Sequence, residues 1–143
     1  MRILVDTNIF LDLFLKRDGC WENAQTFFHN CKKAKAEIYI TSMSLRDIEY
    51  AIHRSTHDSF LARKAIVDAY SLCRSVIGIS GDDAIESIYS DIKDFEDSLI
   101  VEAARNGMMN LIITNNLKDY RNCSFPVMTP KEYNEIIDNL YNS

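Results

Sequence analysis

"RILVDTNIFLDLFL", residues 2–15, sets one apolar run against another, with Asp6, Thr7 and Asn8 between them. Residues 2–5 read as a short buried strand. Residues 8–15 read as a helix, with Thr7 or Asn8 as its cap. A carboxylate at such a junction is costly to bury unless something pairs with it. Asp6 therefore belongs at the end of the strand, at the mouth of a sheet, and is the first candidate for chemistry. Its other reading is a cap for the helix that follows.

The alternation continues outward from this stretch. Helices are expected over 21–35 (Ala24, Phe27, Phe28 and Cys31 on one face), 42–54 (capped by Ser42 or Ser44), 58–74 and 94–107, the last closed by Gly107 at C′. Residues 81–92 open with acid-rich cap chemistry and place Ile85, Ile88, Tyr89 and Ile92 at i, i+3, i+4, i+7, which predicts a helix. Strands are expected at 37–41, 75–80, 110–114 and 125–128, with a loop or single turn at 115–120. Thr129 and Pro130 open a final helix to about residue 140. Strands alternating with helices predict an α/β fold, a three-layer α/β/α sandwich on a mostly parallel sheet. With 143 residues, 47% of them apolar, and no linker or internal repeat, one domain over 1–143 is expected.

Bulk properties narrow the function. A net charge of −5 argues against a non-specific polyanion binder. It leaves room for a nucleic-acid enzyme whose acids are concentrated in one site. No run approaches the roughly 18 apolar residues of a membrane helix, and the start is a strand and not a signal sequence, so a cytoplasmic protein is expected. Cysteines 20, 31, 73 and 123 form no C-x-x-C pair, which argues against a zinc site and for buried free thiols.

Several polar residues share the placement of Asp6. Asp47 lies one to two helical turns after strand 37–41. Asp94 and Asp97 lie at i, i+3 near the start of a helix, and Thr114 and Asn116 follow strand 110–114. Acids from separate elements converging on one sheet edge would repel one another unless a divalent cation, such as Mg²⁺, compensates them. Each has an ordinary reading too. Asp47 beside Arg46 can be a solvated face, with Glu49 competing for its role. Asp94 can be an N-cap, Asp97 a surface partner of Lys93, and Thr114–Asn116 turn chemistry.

"ILVDTNIFLDLFL", "ITSMSLRDIEYAIHR", "DFEDSLIVEAARN" and "LIITNNLKDY…FPVMTPKEY" occur here in one order across nearly the whole chain. On these stretches the sequence resembles the PIN-domain family, in particular its VapC-like toxin branch. The resemblance implies a metal-dependent endoribonuclease that uses metal-activated water on RNA phosphodiesters, as the toxin of a toxin–antitoxin pair. It matches Asp6, Asp47 and Asp97 to the family's acids and metal ligands, with Asp94 and Asp119 as acidic accessories. Asn116 falls where many members carry a fourth acid, and Thr114 matches a small hydroxyl residue. Mg²⁺ or Mn²⁺, an RNA substrate, a protein antitoxin and a homodimer are the implied cofactor and partners. Arg46 and Lys118, with Arg54 and Lys93 as further cations near the mouth, are candidates for holding phosphates. Asp at 47 shortens a ligand that is often Glu in the family, and Asn116 lowers the site's charge. A catalytically inert RNA- or protein-binding module is therefore the first alternative. A phospho-receiver domain is the second.

Overall fold

In the computed structural model, which describes residues 1–142, the opening strand is the middle of a five-stranded sheet. The strands are β1 (Arg2–Val5), β2 (Glu37–Thr41), β3 (Ser75–Ile77), β4 (Leu111–Ile113) and β5 (Val127–Met128). They lie in the order β3-β2-β1-β4-β5, and every neighbouring pair is parallel. Parallel neighbours need long crossovers. Helices α1 (Thr7–Phe14) and α2 (Trp21–Lys33) lead to β2, α3 (Ser42–Thr56) and α4 (Ser59–Ser71) to β3, and α5 (Gly81–Ile88) and α6 (Phe95–Asn106) to β4. A 3₁₀ turn (Leu117–Tyr120) precedes β5, and α7 (Pro130–Tyr141) follows it. The chain first builds outward from β1 on one side, then crosses to build on the other. The order reverses between β1 and β4, where ligands of open α/β sheets bind.

Alternation along the strands divides the core. Ile3 and Val5, Ile38 and Ile40, and Leu111 and Ile113 face α1, α2, α3, α4 and α7, where Phe10, Phe27, Ile48, Ala62 and Tyr133 are buried with them. Leu4, Tyr39 and Ile112 face α6, against Ile100, Val101 and Ala104. This is the expected three-layer sandwich. Each fully buried Ile, Leu or Phe contributes roughly 1.5–3 kcal/mol, so the ends of β1 and β4 are held by well-packed strands. Among the described residues no helix is long and apolar enough to cross a membrane.

Several local expectations are corrected. The cap of α1 is Asp6, as its other reading from the sequence had it: its Oδ1 accepts from the Thr7 N–H at 2.8 Å, and neither Thr7 nor Asn8 caps the helix. Thr41, not Ser42 or Ser44, caps α3 by accepting from the Ser44 N–H at 3.0 Å. Of the four residues at helical spacing, Ile85 and Ile88 of α5 and Tyr89 just after it point outward, 57%, 64% and 82% exposed, while Ile92, beyond the helix, is buried. Asp83 and Ser87 face inward instead. Asp83 closes a capping box with Ser80 and accepts from Asn106 Nδ2 of α6 at 2.5 Å, so polar anchors set the face that packs. Gly107 is the C-cap of α6 at φ −79°, not a left-handed C′ residue. A Cβ there would meet the Ala103 carbonyl at 2.8 Å, and the left-handed turn falls to Met108 at φ 58°. All four cysteines are free, but only Cys31 is buried; Cys20, Cys73 and Cys123 are half-buried.

Candidate active site

Asp6 and Thr114 end the two strands that flank the switch point. The Thr114 hydroxyl donates to Asp6 Oδ2 at 2.9 Å, and the Asn116 N–H donates to Thr114 Oγ1 at 3.2 Å. Thr114 is fully buried, so its hydroxyl has a fixed direction. Backbone pairing holds the same junction, since the Asp6 N–H donates to the Ile113 carbonyl at 2.9 Å. Asp6 therefore has both carboxyl oxygens committed to donors, one from the first residue of α1 and one from the residue after β4, and among the described residues no basic side chain bonds to it.

The first turn of α6 supplies the second group of acids. Asp94 caps the helix through the Asp97 N–H at 3.0 Å, as one of its two readings required. Asp97 takes a hydrogen bond from the Tyr120 hydroxyl at 3.3 Å and not a charge from Lys93. Asp47 comes from the second turn of α3. A hydroxyl relay ties that helix to α1: Thr7 Oγ1 donates to Ser44 Oγ at 2.8 Å, and Thr41 Oγ1 lies 3.0 Å from the same oxygen. Arg46 pairs with Asp47 at 3.2 Å, its side chain 80% exposed, which is the solvated pairing considered from the sequence. An exposed pair of this kind is weak and can open.

Asp6, Asp47, Asp94, Asp97, Asn116 and Asp119 line one open cleft of about 440 Å³ at the carboxyl end of the sheet. Thr114 acts from beneath through Asp6. Lys118 lies in a second cleft, of about 540 Å³, with Lys93 and Arg121. Asp94 and Asp119 line both, so the two are contiguous. Arg46 and Arg54 line neither.

The acids disturb one another. Burial raises the Asp6 carboxyl above the usual range; its bonds from Thr114 and Thr7 pull it down, and the charges of Asp47 and Asp119 push it up again. Asp97 is raised to about 6, first by burial, then by Asp94, Asp6 and Asp119, with the Tyr120 bond opposing. Glu96 is raised by burial and by Asp47 beside it. Tyr120 is pushed up by burial and by the charges of Asp6 and Asp97, so its hydroxyl stays a donor. A cleft that resists its own negative charge favours a cation.

The donor set suits a hard divalent ion: carboxylate, hydroxyl and amide oxygens, with no thiolate or imidazole. Among the described residues no three His, Cys, Asp or Glu side chains form a ready cage. Mg²⁺ does not require one, because it keeps several waters and takes one or two carboxylates. Asp6 and Asp97, approached by Asp47, fit that arrangement.

Three participants were missed in the sequence. Glu96 sits between Asp94 and Asp97 and joins the cleft because the first turn of α6 is exposed on that side. Tyr120 reaches Asp97 across 23 positions. Asp12, 3% exposed, accepts from Asn115 Nδ2 at 2.5 Å and pairs with Arg17 at 3.4 Å, tying α1 to the loop that carries Asn116. Only its position inside an apolar helix pattern marked it out.

Sheet order and cleft together define a class: parallel α/β/α domains with an acidic mouth at the reversal of strand order. A family model described as the PIN domain matches residues 2–118, and the chain belongs to that family. Membership removes the phospho-receiver alternative, and β3 carries no acid at its end. Curated protein sequences give no significant match. Among solved structures, a toxin–antitoxin complex from Klebsiella pneumoniae is similar with a TM-score of 0.65 and 25% identity, over 90% of this chain and 97% of that one. VapBC2 from Rickettsia felis, bound to a promoter DNA fragment, is similar with a TM-score of 0.63 and 20% identity, over 90% and 98%. The sarcin–ricin-loop-cleaving toxin VapC20 from Mycobacterium tuberculosis is similar with a TM-score of 0.57 and 16% identity, over 77% and 86%.

Proposed function

We propose that this protein is a divalent-metal-dependent endoribonuclease and the toxin of a toxin–antitoxin pair. The observation that carries the chemistry is the meeting of Asp6, Asp47 and Asp97, from three separate elements, in one cleft without a basic partner for Asp6. The toxin role draws on the fold-mates, which include toxin–antitoxin complexes and an RNA-loop-cleaving toxin. A protein antitoxin, an RNA substrate, self-association as a homodimer and a cytoplasmic setting follow from the same reading.

Asp6 and Asp97 would hold Mg²⁺ or Mn²⁺, with Asp47 beside them and Asp94 within the same cleft. Such an ion supplies a lowered pKa for water and a counter-charge for the crowded phosphodiester oxygens. The chain's own residues do the positioning. Thr114 fixes the Asp6 carboxylate and Tyr120 orients that of Asp97, as outer partners of metal-binding carboxylates do. Asn116 offers a neutral amide that can orient a water or a phosphate oxygen without adding charge. Lys118, with Lys93 and Arg121, supplies donors for phosphates in the adjoining cleft. Arg46 can reach a phosphate only by leaving Asp47.

The test is cleavage of RNA by the purified protein in Mg²⁺ or Mn²⁺. We expect cleavage that EDTA stops and that Asp6→Asn and Asp97→Asn each reduce by at least about a hundredfold, the scale lost when charge stabilisation of a transition state is removed. Undiminished cleavage by Asp6→Asn would refute the assignment. The inert-module alternative has the uncharged Asn116 in its favour, and predicts RNA binding with no metal-dependent cleavage.

A further inference from the structure

Resting on the nuclease reading, the geometry points to Tyr50 as the platform on which an unpaired base of the substrate stacks. Tyr50 lies on α3, three residues after Asp47, and its side chain lines the acidic cleft. It is 59% exposed; Phe60, Tyr70 and Tyr89 are exposed as well, but of these only Tyr50 lines the acidic cleft. Leu11 and Ala51 also line this cleft, so it offers some apolar surface among its acids. Small-molecule sites and nucleic-acid sites share this design: an apolar face for a flat ring and a few polar groups that orient it.

The adjoining cleft completes the path. The wall of Tyr50 and Asp47 belongs to the acidic cleft alone, Asp94 and Asp119 are shared, and Lys93, Lys118 and Arg121 belong to the neighbouring cleft alone. Across the surface the order is therefore aromatic, acids, cations. A single-stranded RNA laid along it stacks one base on Tyr50, sets the adjacent phosphate over the acids, and places a further phosphate on Lys118 and Arg121. A duplex keeps its bases stacked on each other and offers none to Tyr50, so the arrangement selects an unpaired nucleotide.

The experiment measures binding of a fluorescein-labelled single-stranded RNA by anisotropy to protein with Asp6 and Asp97 intact. Ca²⁺ takes the place of Mg²⁺ so that the acids keep a hard cation, and the RNA is checked for integrity on a gel after each measurement. Tyr50→Ala should weaken binding roughly five- to hundredfold, the range for losing one stacked base. Tyr50→Phe, which keeps the ring, should stay within about twofold. Moving an abasic site along the RNA should find one position where the loss equals that of Tyr50→Ala and the two losses do not add. Lys118→Ala and Arg121→Ala should each lower the salt dependence of binding. The proposal is overturned if Tyr50→Ala binds as its parent does, if Tyr50→Phe is as weak as Tyr50→Ala, or if a duplex of the same sequence binds as tightly as the single strand. Tyr50-dependent binding without cleavage by the wild-type protein in Mg²⁺ or Mn²⁺ would support the platform and remove the nuclease reading.

Discussion

The Thr114 hydroxyl donates to Asp6 Oδ2 at 2.9 Å, joining residues 108 positions apart at the ends of neighbouring parallel strands. Thr114 is fully buried, and the Asn116 N–H fills its oxygen's accepting side, so the bond is held from below and from the following loop. It lowers the proton affinity of a carboxyl that burial raises. The bond thus favours the charged form of Asp6 against burial and fixes the direction of its carboxyl group.

Thr114→Val keeps the shape and removes the donor. It should destabilise the protein by about 1–3 kcal/mol, the cost of stripping a partner from a largely desolvated polar group, and weaken Mn²⁺ binding. Urea unfolding at pH 7.5 measures the first effect and metal titration the second. A variant unchanged in both would leave the hydroxyl no role.

Asp6→Asn and Asp97→Asn should melt at the parent's temperature or above it in the absence of metal. Each removes a charge from a set that repels it, and Asn remains a good cap for α1 in place of Asp6. A fall of several degrees in either would show that these acids serve the fold more than a ligand.

The pH dependence of that gain has a definite sign. Asp97 holds its proton up to about pH 6 in the folded chain, against an ordinary value of 3.8. Between these values the native state binds more protons than the unfolded one, so this group's contribution to stability falls as pH rises through the window and is flat above it. The advantage of Asp97→Asn should be full at pH 7.5, shrink below about 6 and vanish near 4. It should also be small at physiological salt, since the carboxyl is partly exposed. Melting curves of both proteins across this range decide it; an advantage that grows toward acid would contradict the origin given to the shift.

Cys31 and Cys73 lack reactive thiolate at neutral pH, because burial pushes each thiol up to about 12. In the native protein at pH 8 both should resist iodoacetamide over hours and react at once in denaturant. Peptide mass spectrometry after timed labelling tests this, and fast native modification of Cys31 would mean that its layer opens readily.

Much of this architecture was legible because apolar runs stop at polar residues. RILV-Asp6 and NLII-Thr114 name the strand ends that meet, and parallel topology places such ends together. What was not legible is what distant side chains do to one another. Ile85, Ile88 and Tyr89 have the spacing of a core face, yet the capping box at Ser80 and the Asn106–Asp83 bond turn α5 the other way. Arg46 and Lys118 looked equivalent as cations near the mouth. One is held by Asp47, and the other stands in the adjoining cleft. The bonds of Asp12 to Asn115 and of Tyr120 to Asp97 depend on loop paths that no local periodicity encodes.

The central claim is that Asp6 and Asp97 share a hard cation. Anomalous diffraction from a crystal of the wild-type protein soaked in Mn²⁺ tests it most directly. We predict a peak in the acidic cleft within coordinating distance of carboxylate oxygens of both residues, absent from an Asp6→Asn crystal soaked in the same way. A cleft without a peak at saturating Mn²⁺, or a peak bound elsewhere while Asp6 and Asp97 keep apart, would contradict the account.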